Sequence, residues 1–289
     1  MPQLQLSPKG HRYGLLSSLP DHAAPGFPSH LVKAPAPSAW PRRAFVSGRI
    51  PKVKNQGTQG SCDGHACCSF GERLYLRWKP QVGPVVFSPA FAYAMERILE
   101  GTFTQGDVGA MISSAVQVPD PKAGGFGWCP LTDMPYDENV CNVRPNAAQI
   151  ATAAQYPGGA FHTIGNVIAN IKSCILSDYT AVIGVAVYDS FESDDAARTG
   201  LIPYPNLSRE TLQGGHALHA LIGYDDDIRC PGAPNPGAVW FENSWDVTWG
   251  TKCPVSDDPG GFGLLSYDFL ANPNLTTDVK MGHLGKAWE

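Results

Sequence analysis

The chain has no apolar stretch approaching the roughly 20 residues that a membrane-spanning helix needs, and it has no long run of like charges. The first absence argues against a spanning helix. The second, with a formal net charge of -5 over 289 residues, argues against a nucleic-acid or membrane-surface footprint. There is no C-x-x-C pair and no histidine cluster at ligand spacing, so neither a structural zinc nor any other metal or cofactor is expected. The opening residues, MPQLQLSPKGHRYG, lack the apolar core of a secretory signal. A cytosolic chain, a removed signal and a different export route all remain open. No internal repeat is found.

What the chain does contain is turn-forming and apolar. The 31 glycines and 26 prolines imply many irregular loops, and a 43% hydrophobic composition suffices for one large domain or two lobes. Eight cysteines permit disulfides without requiring them. Cys129 with Cys141, and Cys230 with Cys253, sit in loop-like, Pro-rich surroundings where each pair could bridge.

Residues 1–41 are rich in Pro, Ser and Ala, show neither helical nor strand period, and read as an irregular N-terminal arm. Helical patterns follow at 62–78, 88–101, 106–118 and 146–155. The period then changes. Runs rich in β-branched or aromatic residues at 181–191, 216–225, 238–245 and 262–270 read as strands. Helices first and strands second imply an α+β protein, with a helical lobe packed on a sheet lobe and a cleft between them.

The stretch K-N-Q-G-T-Q-G-S-C-D-G-H-A (54–66) reads as a tight loop feeding a buried helix, with Ser61 at the N-cap position. Cys62 then starts the helix, where the dipole and unpaired N–H groups favour a thiolate. Cys67 and Cys68 continue along the helix and read as ordinary core residues. Gln56, earlier in the loop, could curl back and form an oxyanion hole with the Cys62 N–H. Downstream, Gly214-Gly215 precedes His216 and His219. Three apart, the two rings point to opposite faces of a strand. His216, at the strand mouth, suits a base, and His219 reads as structural. In WFENSWDVTWG (240–250), Asn243 could accept from a histidine ring and Trp245 could cover that bond from water.

Taken together, V-K-N-Q-G (53–57), G-S-C (60–62), G-H-A (215–217), G-Y (223–224) and N-S-W (243–245) resemble the papain-like cysteine peptidase family, over roughly residue 40 to the end. YDSFES (188–193) and the GWCP…PY connection (127–136) look like bacterial members. The resemblance implies a helical lobe (about 54–150) and a β-barrel-like lobe (about 151–275) inside a catalytic domain spanning 42–289. It implies Cys62 as nucleophile, His216 as base, Asn243 as orienter and Gln56 as oxyanion donor. Gly60, Ser61, Gly109, Gly215 and Trp245 would line the substrate channel. The activity implied is peptide-bond hydrolysis through a thioester, as an endopeptidase acting on polypeptides, expected as a monomer. A transglutaminase-like acyl transferase and a silent peptide-binding relative are the alternatives.

The chain departs from the family pattern at several points. The first cysteine of the signature is Gln59, and the segment that would hold its partner reads G-D-V-G (106–109), so the family disulfide is absent. Asp63 replaces the aromatic residue after the nucleophile, and a carboxylate there disfavours a thiolate unless it is solvated or paired. His216 and Asn243 stand farther downstream than the signature's span of about 130–150 residues, and IRCPGAPNPGA (228–238) reads as an insertion between them. One extra residue between His216 and Gly223 calls for a β-bulge. The arm is too short and Pro-rich for the family's helical propeptide. Two readings are open: the arm lies across or near the cleft, anchored by Tyr13, Leu15, Leu16, Phe27 and Leu31, and limits access, or it is a solvated tail.

Overall fold

The structure, a computed structural model, describes residues 4, 6–17, 28–29 and 31–284. Phe27 lies outside the described residues. Helix α1 (Cys62–Trp78) matches the expected span. Ser61 stands at its N-cap position without a side-chain cap bond. Its hydroxyl is drawn instead to Tyr136 Oη (2.8 Å), which itself donates to the Gln56 carbonyl (2.8 Å). Helix α2 (Pro89–Leu99) begins with Pro at N1, and the Ser88 hydroxyl accepts from Phe91 N.

The expected helix at 106–118 starts late. Gly106 and Gly109 take φ of 87° and 80°, which a right-handed helix cannot accommodate. The segment therefore opens as a short strand and only then becomes α3 (Ile112–Gln117). Helix α4 (Ala147–Ala153) carries a capping box between Asn146 and Gln149. Helices α5 (Ile168–Leu176), α6 (Asp194–Thr199) and α7 (Tyr267–Ala271) complete the set among the described residues. The last replaces the end of an expected strand, because the Ser266 hydroxyl accepts from Phe269 N and turns the chain into a helix.

Nine strands form one sheet: β1 (Leu15–Leu16), β2 (Arg43–Phe45), β3 (Ala110–Met111), β4 (Phe161–Thr163), β5 (Ala181–Tyr188), β6 (Leu212–Asp225), β7 (Ala238–Glu242), β8 (Phe262–Ser266) and β9 (Thr276–Gly282). Their order is β3-β1-β6-β5-β9-β4, with β2 and β7 also on β6, and β8 on β7. Strand β6 begins four residues earlier than its apolar run suggests, because Gly214 and Gly215 pair with Val187 and Ala186 of β5. The register between β6 and β7 shifts between Ala220 and Gly223, and Leu221 there has φ 62°. That bulge accommodates the extra residue.

The sheet's core is built from Ile183, Val185, Leu218, Ile222, Phe241 and Phe262, all buried. Helix α1 packs across its edge, where Cys62, Ala66 and Phe70 join Val182 and Ala217 in one cluster. Burying a Phe-sized side chain in such a cluster contributes about 1.5–3 kcal/mol. Gly71 lets α1 lie on Trp128: a Cβ there would fall 2.5 Å from the indole. The N-terminus of α1 is thereby held against the start of β6. All eight cysteines are free, including those of the two pairs that could have bridged.

Candidate active site

The structure brings Gln56, Cys62, His216, Asn243 and Trp245 together at the junction of α1, β6 and the end of β7. His216 is fully buried, and its Nε2 lies 2.8 Å from Asn243 Oδ1. Ser244 N donates to the same oxygen at 2.8 Å, so Oδ1 is the acceptor and Nε2 carries the ring proton. Nδ1, buried and without a hydrogen-bond partner, keeps its lone pair. Trp245 stacks on the His216 ring, with centroids 4.8 Å apart and planes at 23°.

Gln56 is held on every side. Its N–H donates to Ser244 O (2.9 Å), and its Oε1 accepts from Ser244 Oγ (2.6 Å). Its Nε2 donates to Gln59 O (2.9 Å) and to Arg12 O (3.2 Å). The missing disulfide has a polar replacement. The Asp107 carboxylate accepts from Gly60 N (3.1 and 3.0 Å) and from Tyr93 Oη (2.6 Å), which in turn accepts from Gly109 N (2.9 Å). These bonds tie the cysteine loop to the 106–109 segment. Asp107, Tyr136 and Ser244 were not singled out by sequence reasoning. Asp107 was visible only as part of G-D-V-G, Tyr136 as the end of the GWCP…PY connection and Ser244 as the middle of N-S-W.

Residues 11–16 of the arm lie in this junction. Strand β1 pairs in parallel with β3 and antiparallel to β6, at Leu15↔Ala110 and Leu15↔Gly215. Gly14 O accepts from Ala110 N at 2.8 Å. Gly60, Gly109 and Gly215 all border this segment. A Cβ on Gly109 would fall 2.0 Å from Gly14 O, and one on Gly215 would fall 2.8 Å from Leu15 O. His11 stacks on the outer face of Trp245 (3.9 Å, 7°), Tyr13 meets the His216 ring edge-on, and Arg12 pairs with Asp107. Ser7 and His11 bind Glu192 at 2.7 and 2.9 Å.

Burial sets the electrostatics. Cys62 has no exposed surface. Burial, then the neighbouring Asp63, pushes its thiol well above the ordinary value, against a smaller opposing pull from the N–H groups of Ala217 and Gly14. Burial lowers His216 to about 4, although its bond to Asn243 favours the protonated ring. With the arm in place the site is a neutral thiol beside a neutral imidazole.

His219 faces the other way, as its odd spacing from His216 requires. Its Nδ1 lies 2.9 Å from Glu242 Oε2, and Glu242 Oε1 accepts from Ser69 Oγ (2.8 Å). Lys54 Nζ reaches Ser69 Oγ (3.0 Å) and Glu72 Oε2 (2.8 Å). The two histidines thus bind consecutive residues, Glu242 and Asn243. Among the described residues no group of His, Cys, Asp and Glu is arranged to hold a metal, and no helix is long and apolar enough to cross a membrane.

No family profile matches the chain. Among curated proteins, an uncharacterized peptidase C1-like protein, L477 of Acanthamoeba polyphaga mimivirus, is 29% identical over 234 residues, covering 78% of this chain and 67% of that protein. Among solved structures, xylellain, a cysteine protease from Xylella fastidiosa, superposes with a TM-score of 0.79 at 22% identity, covering 95% of this chain and 96% of that one. Procathepsin B S9 from Trypanosoma congolense superposes with a TM-score of 0.62 at 16% identity, over 93% and 86%. The fold is the α+β papain-like one.

Proposed function

We propose that this chain, a member of the papain-like cysteine peptidase family, hydrolyses peptide bonds with Cys62 as nucleophile and keeps its own arm in the cleft until the arm is displaced. The observation that carries the reading is the His216–Asn243 bond. It fixes the proton on Nε2 and leaves Nδ1 as the base, on a residue whose neighbour Ala217 presents its N–H to the Cys62 sulfur. With the arm displaced and water admitted, the burial penalty on both groups falls. The proton then moves from sulfur to Nδ1, and a thiolate–imidazolium pair forms. The thiolate adds to the substrate carbonyl, whose oxygen takes the place of the Arg12 carbonyl at Gln56 Nε2 and meets the Cys62 N–H. His216 returns its proton to the leaving amine, and water hydrolyses the thioester. Trp245 shields the His216–Asn243 bond, and Gly60, Gly109 and Gly215 give the substrate backbone the room the arm now uses. Ser61 fixes this wall through Tyr136. The sequence has no adjacent pair of histidines that could hold a substrate carboxylate, which supports endopeptidase action on polypeptides.

The test is the rate of Cys62 alkylation from about pH 4 to 9, read by mass spectrometry. A reactive thiolate persisting well below the ordinary thiol value near about 8.5, lost in His216→Ala and kept in His219→Ala, is the expected result. A single ordinary thiol titration in all three chains would overturn the assignment and favour a silent peptide-binding relative.

A further inference from the structure

The residue after the nucleophile is a carboxylic acid with neither of the escapes that would make it harmless. Asp63 has no exposed surface, so it is not solvated. Its Oδ2 lies 3.6 Å from Cys62 Sγ, and its Oδ1 is buried without a partner. The titratable groups facing it come from three elements. On α1 they are Cys62 and Cys67. On α2 there is Glu96, and at its C-cap Glu100. On β9 there is Asp278. All are acids or thiols. Glu96 is fully buried with both oxygens unpartnered. Arg97, the cation beside Glu96 and Glu100, turns its guanidinium to the carbonyls of Tyr93, Gly106 and Cys141 and to Asn142 Oδ1.

An ionised carboxylate cannot be held in such a place. The helix N-terminus favours a charge at Asp63, but by less than the burial of an unpaired carboxylate among like charges costs. We propose that Asp63 keeps its proton at neutral pH and donates it as a hydrogen bond to the Cys62 sulfur, so that a neutral acid helps stabilise the thiolate. The inference rests on Cys62 being the nucleophile. Burial first, and then the Glu100 carboxylate, push Asp63 in the same direction. The contact serves both states of the sulfur. As a thiol, Cys62 shares it with Asp63. Once its own proton has gone to His216 Nδ1, the thiolate accepts the Asp63 O–H. Asp63 gives up no proton in the reaction.

Two substitutions in the full chain separate the roles of charge and donor. Asp63→Asn keeps a donor without an ionisable group. Asp63→Leu fills similar volume and keeps neither. Each profile is normalised to its own high-pH plateau, which carries the arm-open fraction, so the midpoint reads the sulfur alone. The pH profile of Asp63→Asn should match that of the parent chain. Asp63→Leu should show a raised midpoint and, at neutral pH, a loss of about tenfold or more. Faster alkylation with a lowered midpoint in Asp63→Asn would mean the native residue is charged, and would overturn the proposal. So would an unchanged profile in Asp63→Leu.

Infrared difference spectra between the parent chain and Asp63→Asn at neutral pH give an independent reading in the folded protein. Loss of a protonated-carboxyl carbonyl band is expected, and its absence refutes the idea even if Asp63→Leu fails to fold. If His216→Gln leaves the alkylation profile unmoved, the peptidase reading fails, while the infrared band still decides the state of Asp63.

Discussion

Gly14→Ala is the sharpest perturbation of the arm. A Cβ on Gly14 would lie 1.8 Å from Gly60 O, 2.4 Å from its carbonyl carbon and 2.8 Å from its Cα. All three are backbone atoms, and Gly60 is pinned by its bonds to Asp107. Neither side has a side chain to swing away. The arm must therefore rise by more than an ångström, which breaks the 2.8 Å bond between Gly14 O and Ala110 N. Overpacking of this kind costs about 1–3 kcal/mol. All of it falls on the arm-closed state, because an exposed Ala is unstrained in the open one. The open population should then rise by about 5–150-fold. Cys62 has no exposed surface when the arm is closed, so its alkylation rate at neutral pH should rise by the same factor. Cys141, half-buried and away from the arm, gives an internal reference in the same digest. An unchanged Cys62 rate in natively folded Gly14→Ala would refute the claim that this contact seals the site. A parallel rise at Cys141 would mean general loosening instead.

Other consequences are as direct. Lys54→Met removes the cation beside the buried Glu72 and Glu242; it should cost about 3–5 kcal/mol in denaturant unfolding, part of it recovered by adding Glu72→Gln. His216 is held near 4 by burial, against about 6.5 in the unfolded chain. Its contribution to stability is therefore full above about pH 6.5 and is lost as pH falls toward 4, on the order of 3 kcal/mol in all. Asp63, Glu72 and Glu96, all pushed upward by burial, act in the opposite sense. The prediction is thus read as a difference: the stability gap between the chain and His216→Gln should shrink between pH 7 and pH 4. Ser88→Ala removes the cap on α2 and should cost about 1 kcal/mol, seen as a lower denaturation midpoint.

The parts of the fold written in local chemistry were legible. Helices α1 and α2 follow from apolar spacing and from the Ser-Pro start at 88–89. The parts written in partners were not. Gly214 and Gly215 read as a loop because nothing local says that β5 will pair with them. Strand β9 has little alternation of its own, and its place depends on β4 and β5. The 106–118 segment misleads because its apolar spacing is helical, whereas Gly106 and Gly109 are used for their positive φ. At the site, the residues named from the sequence meet at one junction, because each sits at the end or start of a regular element. Asp107 and Tyr136 escaped notice because their value lies in loops they join across the lobe. Asp63 was visible as an oddity, but its surroundings, Glu96 of α2 and Glu100 at that helix's C-cap, could not be read from its neighbours in sequence.

The arm's covalent attachment changes the kinetics expected of this chain. A segment on the same polypeptide is an intramolecular competitor, and its effective concentration can reach the millimolar range. Dilution does not loosen it, and a substrate must outcompete a ligand that never diffuses away. If arm and substrate share the channel, the observed KM is the intrinsic value divided by the open fraction, whereas kcat at saturation is untouched. A contact as small as the one between Gly14 and Gly60 then sets how concentrated a polypeptide must be before it is cut.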